Sequence, residues 1–174
     1  MKAISRRFNL FLALTSLVLL CGCQTDKKPK DVATLRVFVE SNTANSGATQ
    51  TVSVLRSDPM LVTIYSDPIL SEANIVEAKV IDTRGGFAIQ IQFDELSGGL
   101  LEQYSASSLG RHFVIMAQWG EKLAHSRWLA APLITRRIAD ARLSFTPDMT
   151  RAEADQLVLG LNNVVKANQK GQLK

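Results

Sequence analysis

Phe87-Ala88-Ile89-Gln90-Ile91-Gln92-Phe93 places a large apolar residue at every second position. Successive side chains of a strand point to opposite faces, so Phe87, Ile89, Ile91 and Phe93 share one side while Ala88, Gln90 and Gln92 share the other. One buried and one wet face is the pattern of an antiparallel strand. The preceding Thr83-Arg84-Gly85-Gly86 is turn chemistry, and Ile75 to Asp82 supplies the hairpin partner.

Reading toward the C-terminus, Asp94 and Glu95 suit a helix entry, where acidic side chains complement the N-terminal dipole. Leu100, Leu101, Tyr104 and Ser108 recur at helical spacing between Gly98-Gly99 and Gly110, which is placed to stop the helix. A second hairpin is expected next, with Phe113, Ile115, Ala117 and Trp119 inward, Gly120-Glu121 as a two-residue type II′ loop, and Lys122 to Leu129 returning. Ala131-Pro132-Leu133-Ile134 breaks the pattern, Ala141 to Phe145 reads as a strand, and Thr146-Pro147-Asp148 turns into a last helix. Thr150 and Glu153 form a capping box for that helix. Ala154, Leu157, Val158, Leu161, Val164 and Val165 make its apolar stripe.

Toward the N-terminus, Leu35, Val37 and Val39 mark a strand, and Val52, Val54 and Leu61-Val62-Thr63-Ile64 mark two more around the turn Ser57-Asp58-Pro59. Ser41 to Gln50 is small and polar, so a mobile loop is expected there. Strands clustered in hairpins and interrupted by two principal helices give an α+β class: a mainly antiparallel sheet with both helices packed on one face. The expected domain is 34–168, large enough to bury roughly two thirds of its unfolded surface.

The chain has 174 residues, of which 46% are apolar and 21% charged, which excludes collagen-like, coiled-coil and disordered classes. Its net charge of +4 points at first to an anionic partner. That charge belongs to the ends: residues 32–165 hold 11 basic and 14 acidic side chains, a net −3. Binding to a phosphate backbone needs many clustered Lys and Arg, so no nucleic-acid partner is expected.

Residues 1–22 read as an export signal. Lys2, Arg6 and Arg7 precede an apolar run from Leu10 to Leu20, about half of the ~20 residues that cross a bilayer. Leu20-Cys21-Gly22-Cys23 resembles the bacterial lipobox, which implies cleavage before Cys23 and its acylation. Ser5-Arg6-Arg7-Phe8-Asn9-Leu10 resembles part of a twin-arginine signal, but Asn9 departs from it and general secretion is the expectation. Residues 23–33 form a lipidated, polar tether, 169–174 a flexible tail, and the acyl chains hold the domain at a membrane, facing the periplasm or exterior. Gln24 after the lipid cysteine favours an outer membrane where there is one.

Catalytic patterns are sparse. His112 and His125 lack a partner spacing for a metal, no glycine pattern cradles phosphate, and no serine lies in G-x-S-x-G, so no metal, cofactor or catalytic residue is expected. Asp94 and Glu95, as neighbours on an extended chain, point apart. Arg136-Arg137 is the densest basic pair, with Arg127 and Arg142 nearby in sequence. It could grip carboxylates or lipid phosphates through its planar forks, or be solvated loop charge partnered by Asp140. Arg136, Arg137 and Ile138 are the candidate partner-binding residues.

Residues 61–165 resemble the head of the first periplasmic domain of SecD, of the SecDF export family. The likeness rests on Ala88 to Phe93, Leu101, Ser105, Gly110 with Phe113-Val114-Ile115, Pro132-Leu133-Ile134 with Ile138, Phe145, and Glu153-Ala154 with Leu157. Leu101 stands where the family has phenylalanine and Ser105 where it has threonine, and Ile138-Ala139-Asp140-Ala141 lacks the family's glycines. The resemblance implies a non-enzymatic domain that binds exported polypeptide or a Sec or other envelope protein. SecD's six membrane spans have no counterpart in these residues, so binding rather than pulling is the expectation. A small envelope hydrolase with a site assembled by folding, and a structural envelope lipoprotein, are the alternatives.

Overall fold

The computed structural model describes residues 31–42, 48–56 and 58–172. The export signal, Cys23 and most of the tether lie outside the described residues, as do the centre of the Ser41 to Gln50 loop and Ser57.

Nine strands and two α-helices follow in the order β1 (Thr34–Val39), β2 (Thr49–Val54), β3 (Met60–Tyr65), β4 (Leu70–Ser71), β5 (Ile75–Thr83), β6 (Gly86–Phe93), α1 (Glu95–Ser107), β7 (Phe113–Trp119), β8 (His125–Ala130), β9 (Arg142–Phe145) and α2 (Arg151–Gln172). They pair antiparallel into three sheets, β4-β1-β7-β8, β2-β3 and β5-β6-β9. The α+β class is as expected, with the strands divided among three sheets.

The decisive strand follows its alternation except at Ala88, which the pattern puts on the wet face and which is buried. Ile89, Ile91 and Phe93 are buried and Phe87 is half-buried, while Gln90 and Gln92 stay partly exposed. They join Leu35, Val37, Phe113, Ile115, Trp119, Leu157 and Leu161 in the main core, which both helices cover. Burying each large apolar side chain contributes roughly 1.5–3 kcal/mol. Val114 is also buried, on the opposite side of β7, where it meets Phe38, Val52, Val54, Val62 and Ile64 in a second core under β2-β3. One strand therefore serves two cores, and its run Phe113-Val114-Ile115 is apolar without alternation for that reason.

Several boundaries differ from the sequence expectation. Helix α1 begins at Glu95, at the entry expected from Asp94 and Glu95, with the Asp94 carboxylate accepting the Ser97 N–H at 2.8 Å; Gly98-Gly99, read as flanking the apolar spacing, lie inside it. A Cβ on Gly98 would sit 2.5 Å from the Ala141 Cβ, and this close approach to the chain before β9 is what glycine permits. The loop between β7 and β8 is not a two-residue II′ turn: it runs from Gly120 to Ala124 around a 3-10 turn at Glu121–Leu123. Gly120, Lys122 and Leu123 all take positive φ in it, where a II′ turn needs only its glycine to, and the Trp119 and His125 rings meet at 5.5 Å across its mouth.

Thr49 and Gln50, placed in the polar loop by sequence, belong to β2, and α2 continues through residues 169–172 rather than giving way to a tail at 169. The domain also starts before residue 34. Ala33 is buried against Gly160 of α2, and the Asp31 carbonyl accepts a hydrogen bond from Asn163 Nδ2 at 3.0 Å.

Candidate functional site

The chain between β8 and β9, residues 131–141, has almost no regular structure yet is fastened at short intervals. Phe113 N–H donates to the Pro132 carbonyl (3.1 Å), Ile134 N–H to Arg111 (2.8 Å) and Gly110 N–H to Ile134 (3.0 Å). Ile138 N–H donates to Ser105 Oγ at 2.9 Å, and Phe93 N–H to the Ala141 carbonyl at 3.0 Å. Proline at 132 has no donor to lose, so the segment departs from β8 without continuing its ladder. The Ser105 hydroxyl is buried on α1 and gives the partly buried backbone of Ile138 an acceptor.

This segment stands off from β9 and leaves a cleft of about 290 Å³. Phe113, Leu133 and Ile134 give it apolar surface, and Arg136, Asp140, Arg142, Ser144 and Gln90 give it polar groups. Leu133 is 51% exposed at its rim, and Leu109 is 57% exposed on the neighbouring turn after α1. A polar recess of about 200 Å³ adjoins it, sharing Gln90 and Arg142 and adding Gln92, Lys79 and Glu77.

Strand register fixes what β9 offers the cleft. The bond from Phe93 to Ala141 makes their opposition a hydrogen-bonded one, so Leu143 opposite Ile91 and Phe145 opposite Ile89 also bond toward β6. Arg142 and Ser144 then turn their backbone groups away from β6. The Arg142 N–H is held by Asp140 Oδ1 at 3.3 Å, while the Ser144 N–H and carbonyl have no partner among the described residues. The side chains near them are braced: Arg142 Nε donates to Gln92 Oε1 at 2.8 Å and Gln90 Nε2 to Ser144 Oγ at 3.3 Å. The cleft therefore combines a residue of an open strand edge, apolar surface and two arginines, Arg136 and Arg142.

The three sequence candidates separate. Arg136 and Ile138 line the cleft. Arg137 points to α1 and pairs with Glu102, so its charge tethers the segment to that helix. Asp140 partners the backbone of Arg142, not the arginine pair as the loop-charge reading supposed. Arg127 is elsewhere: its guanidinium lies over the Trp119 ring at 5.1 Å and bonds Glu153 at 3.0 Å and the Asp148 carbonyl at 3.2 Å, fixing the start of α2. The Glu153 carboxyl is held below its ordinary range, first by the Thr150 N–H, with Arg127 adding to it and partial burial opposing. Sequence reading did not single out Gln90 and Ser144, whose signal was faint: the wet face of the alternating strand and the one-residue register of β9.

Both histidines are otherwise engaged, His112 Nδ1 with Glu40 at 2.6 Å and His125 with Trp119. Among the described residues no three His, Cys, Asp or Glu side chains gather as a metal ligand set. No helix among them is long and apolar enough to cross a membrane.

Three comparisons bear on this geometry. Among curated proteins nothing matches the chain. Two solved structures of SecDF share the fold at 16% identity: one, of a membrane component that enhances protein export, over 77% of this chain with a TM-score of 0.53, and one in a super-membrane-facing form over 75% with 0.54. The matched region spans 64% of the first of those chains and 19% of the second. The model of the SecDF P1 head subdomain matches residues 46–164, which takes in β2 through most of α2 together with the whole cleft. The chain belongs to the SecDF P1 head subdomain family.

Proposed function

We propose that this domain works outside the cytoplasm as a non-enzymatic binding module connected with protein export, holding extended polypeptide in the cleft beside β9. The observation that carries the reading is the unpartnered backbone of Ser144 beside apolar Leu133 and Ile134. An added strand bonds through its main chain, so a sheet edge takes many sequences, while shallow apolar surface accepts alternate side chains. Arg136 and Arg142 add donors for carbonyls or acidic side chains at the ends of such a segment. Membership of the P1 head family supports the link to export, and SecDF itself is described as enhancing it.

On this reading Cys23, after signal cleavage, carries the acyl chains that keep the module at a membrane, with Gln24 favouring an outer one. Two or more chains give the stable attachment that a single one only approaches. A photo-crosslinking residue at Arg136 in intact cells tests the binding role. Adducts with exported polypeptides or Sec components are expected, and adducts with neither would overturn it. The intact mass of the membrane-extracted chain tests the anchor: it should begin at an acylated Cys23, and Cys23→Ser should release the protein from membranes.

A further inference from the structure

We propose that β2 is the contact by which two copies of this chain pair, edge to edge, about a two-fold axis at Val52. Register decides which backbone groups β2 presents. Ser66 N–H donates to the Ala48 carbonyl at 2.9 Å, so the opposition of Ala48 and Ser66, one step beyond the β2-β3 ladder, is a hydrogen-bonded one. On the other side of β3 the Thr63 carbonyl accepts the Ser41 N–H at 2.8 Å, so Thr63 turns its backbone away from β2. Both bonds give the same parity. Gln50, Val52 and Val54 bond toward β3, while Thr51 and Ser53 turn their N–H and carbonyl groups away from it. Those outward groups have no partner among the described residues. The Thr51 and Thr63 hydroxyls, 3.0 Å apart, agree with this parity, because side chains stand closer in a non-hydrogen-bonded pair.

This edge lacks what ordinarily protects one. No charged residue and no proline lies between Glu40 and Arg56, and Thr49–Val54 reads TQTVSV, rich in β-branched residues. Thr51 and Ser53 are exposed. By contrast, the edge at β8 is closed in part by Asp148, whose N–H donates to the Leu129 carbonyl at 2.8 Å, and β9 carries Arg142. The occupant follows from the strand itself. A charged edge would repel its own copy, but this one brings no like charges together, and Arg56 just beyond it is held by Asp148 at 3.3 Å. With Val52 on the axis, Thr51 of each copy lies opposite Ser53 of the other, so the open groups of both residues are met in both copies. The two-stranded sheet then becomes a four-stranded one, β3-β2-β2-β3, over two copies of the second core. Two strands alone make a marginal sheet, so the pairing adds what the single chain lacks. Neither recess beside β9 is lined by β2, and the surface that best fits this strand is a copy of itself.

The test measures the mass of the full chain, purified in mild detergent, by sedimentation over a range of concentrations. A dimer should form between about 10 μM and 1 mM, the range suited to a small contact. The T51K/S53K chain and the T51E/S53E chain change only exposed side chains. Each sets like charges opposite one another across the axis and should stay monomeric, and an equal mixture of the two should pair. Amide exchange at Thr51 and Ser53 should slow as the unaltered chain dimerises, while Gln50 and Val52, already bonded to β3, keep their rates. Ser144→Pro should leave the dimer intact, which separates this contact from the cleft beside β9. A monomer throughout the range, a dimer that either charged variant retains, or a mixture of the folded variants that fails to pair would overturn the proposal. So would a dimer lost on Ser144→Pro, or slowing at Thr51 and Ser53 that appears only when an exported peptide is added.

Discussion

The sheet β5-β6-β9 has two edges, and the molecule treats them oppositely. At β5 the outward backbone groups of Ala78 are both taken by one side chain of α2: Asn162 Oδ1 accepts the N–H at 3.0 Å and Nδ2 donates to the carbonyl at 2.9 Å. At β9 the equivalent groups of Ser144, a residue that lines the cleft, turn away from β6 without a partner among the described residues. Strand edges invite pairing with other chains, and proteins ordinarily cover, charge or shorten them. Here β9 is short and flanked by Arg142, but it is left open, whereas the longer β5 is sealed by a helix. The contrast argues that the open edge is retained for use.

Breaking the closed edge should have the largest effect. Asn162→Leu strands the Ala78 N–H and carbonyl in a partly buried setting, and we expect a loss of about 3 kcal/mol in urea unfolding, with self-association through β5. Loosening α2 should come next. Gly160→Ala would ordinarily stabilise a helix by up to about 1 kcal/mol. Here its methyl meets the Val32 and Ala33 backbone at 2.9 Å, so we expect a net loss of about 1 kcal/mol, and a gain would contradict the docking of residues 31–33.

The cap of α2 is worth about as much. Thr150 Oγ1 accepts the Glu153 N–H at 3.3 Å, and Glu153 returns a carboxylate to the Thr150 N–H at 2.8 Å. Thr150→Ala should cost about 1 kcal/mol in the same measurement. Because the folded Glu153 carboxyl sits below its ordinary value of 4.5, its contribution is complete above that pH and is lost as pH falls through the lower folded value. Glu153→Gln should flatten that part of the acid limb of the stability curve. At the open edge the expected effect on stability is smallest. Ser144→Pro removes an N–H that points away from β6 and makes no ladder bond, so unfolding should shift by less than about 1 kcal/mol while crosslinking of polypeptide from Arg136 disappears. Leu143→Pro, one residue away, removes a bond to β6 and should destabilise strongly.

Much of this architecture was legible from local pattern. Period-two alternation located β6 and β7, and the spacing of Ala154, Leu157, Leu161 and Val165 located α2, because each records one buried face. The second core was not legible, since Val114 is buried by strands distant in sequence and an apolar run does not reveal which layer covers it. Of the cleft, Arg136 and Ile138 were found as a dense basic and apolar cluster, but Arg137 looked equivalent to Arg136. Only the fold sends one to Glu102 and the other to the cleft. Ser144 matters through its backbone, whose direction depends on pairing register and leaves no trace in residue type.

Amide hydrogen exchange along β9 tests the central claim most directly. With an unstructured peptide from an exported protein added, the Ser144 N–H should exchange markedly more slowly, while Leu143 and Phe145, already bonded to β6, keep their rates. Slowing spread evenly over all three residues, or none at Ser144 under conditions where the peptide binds, would contradict strand addition at this edge.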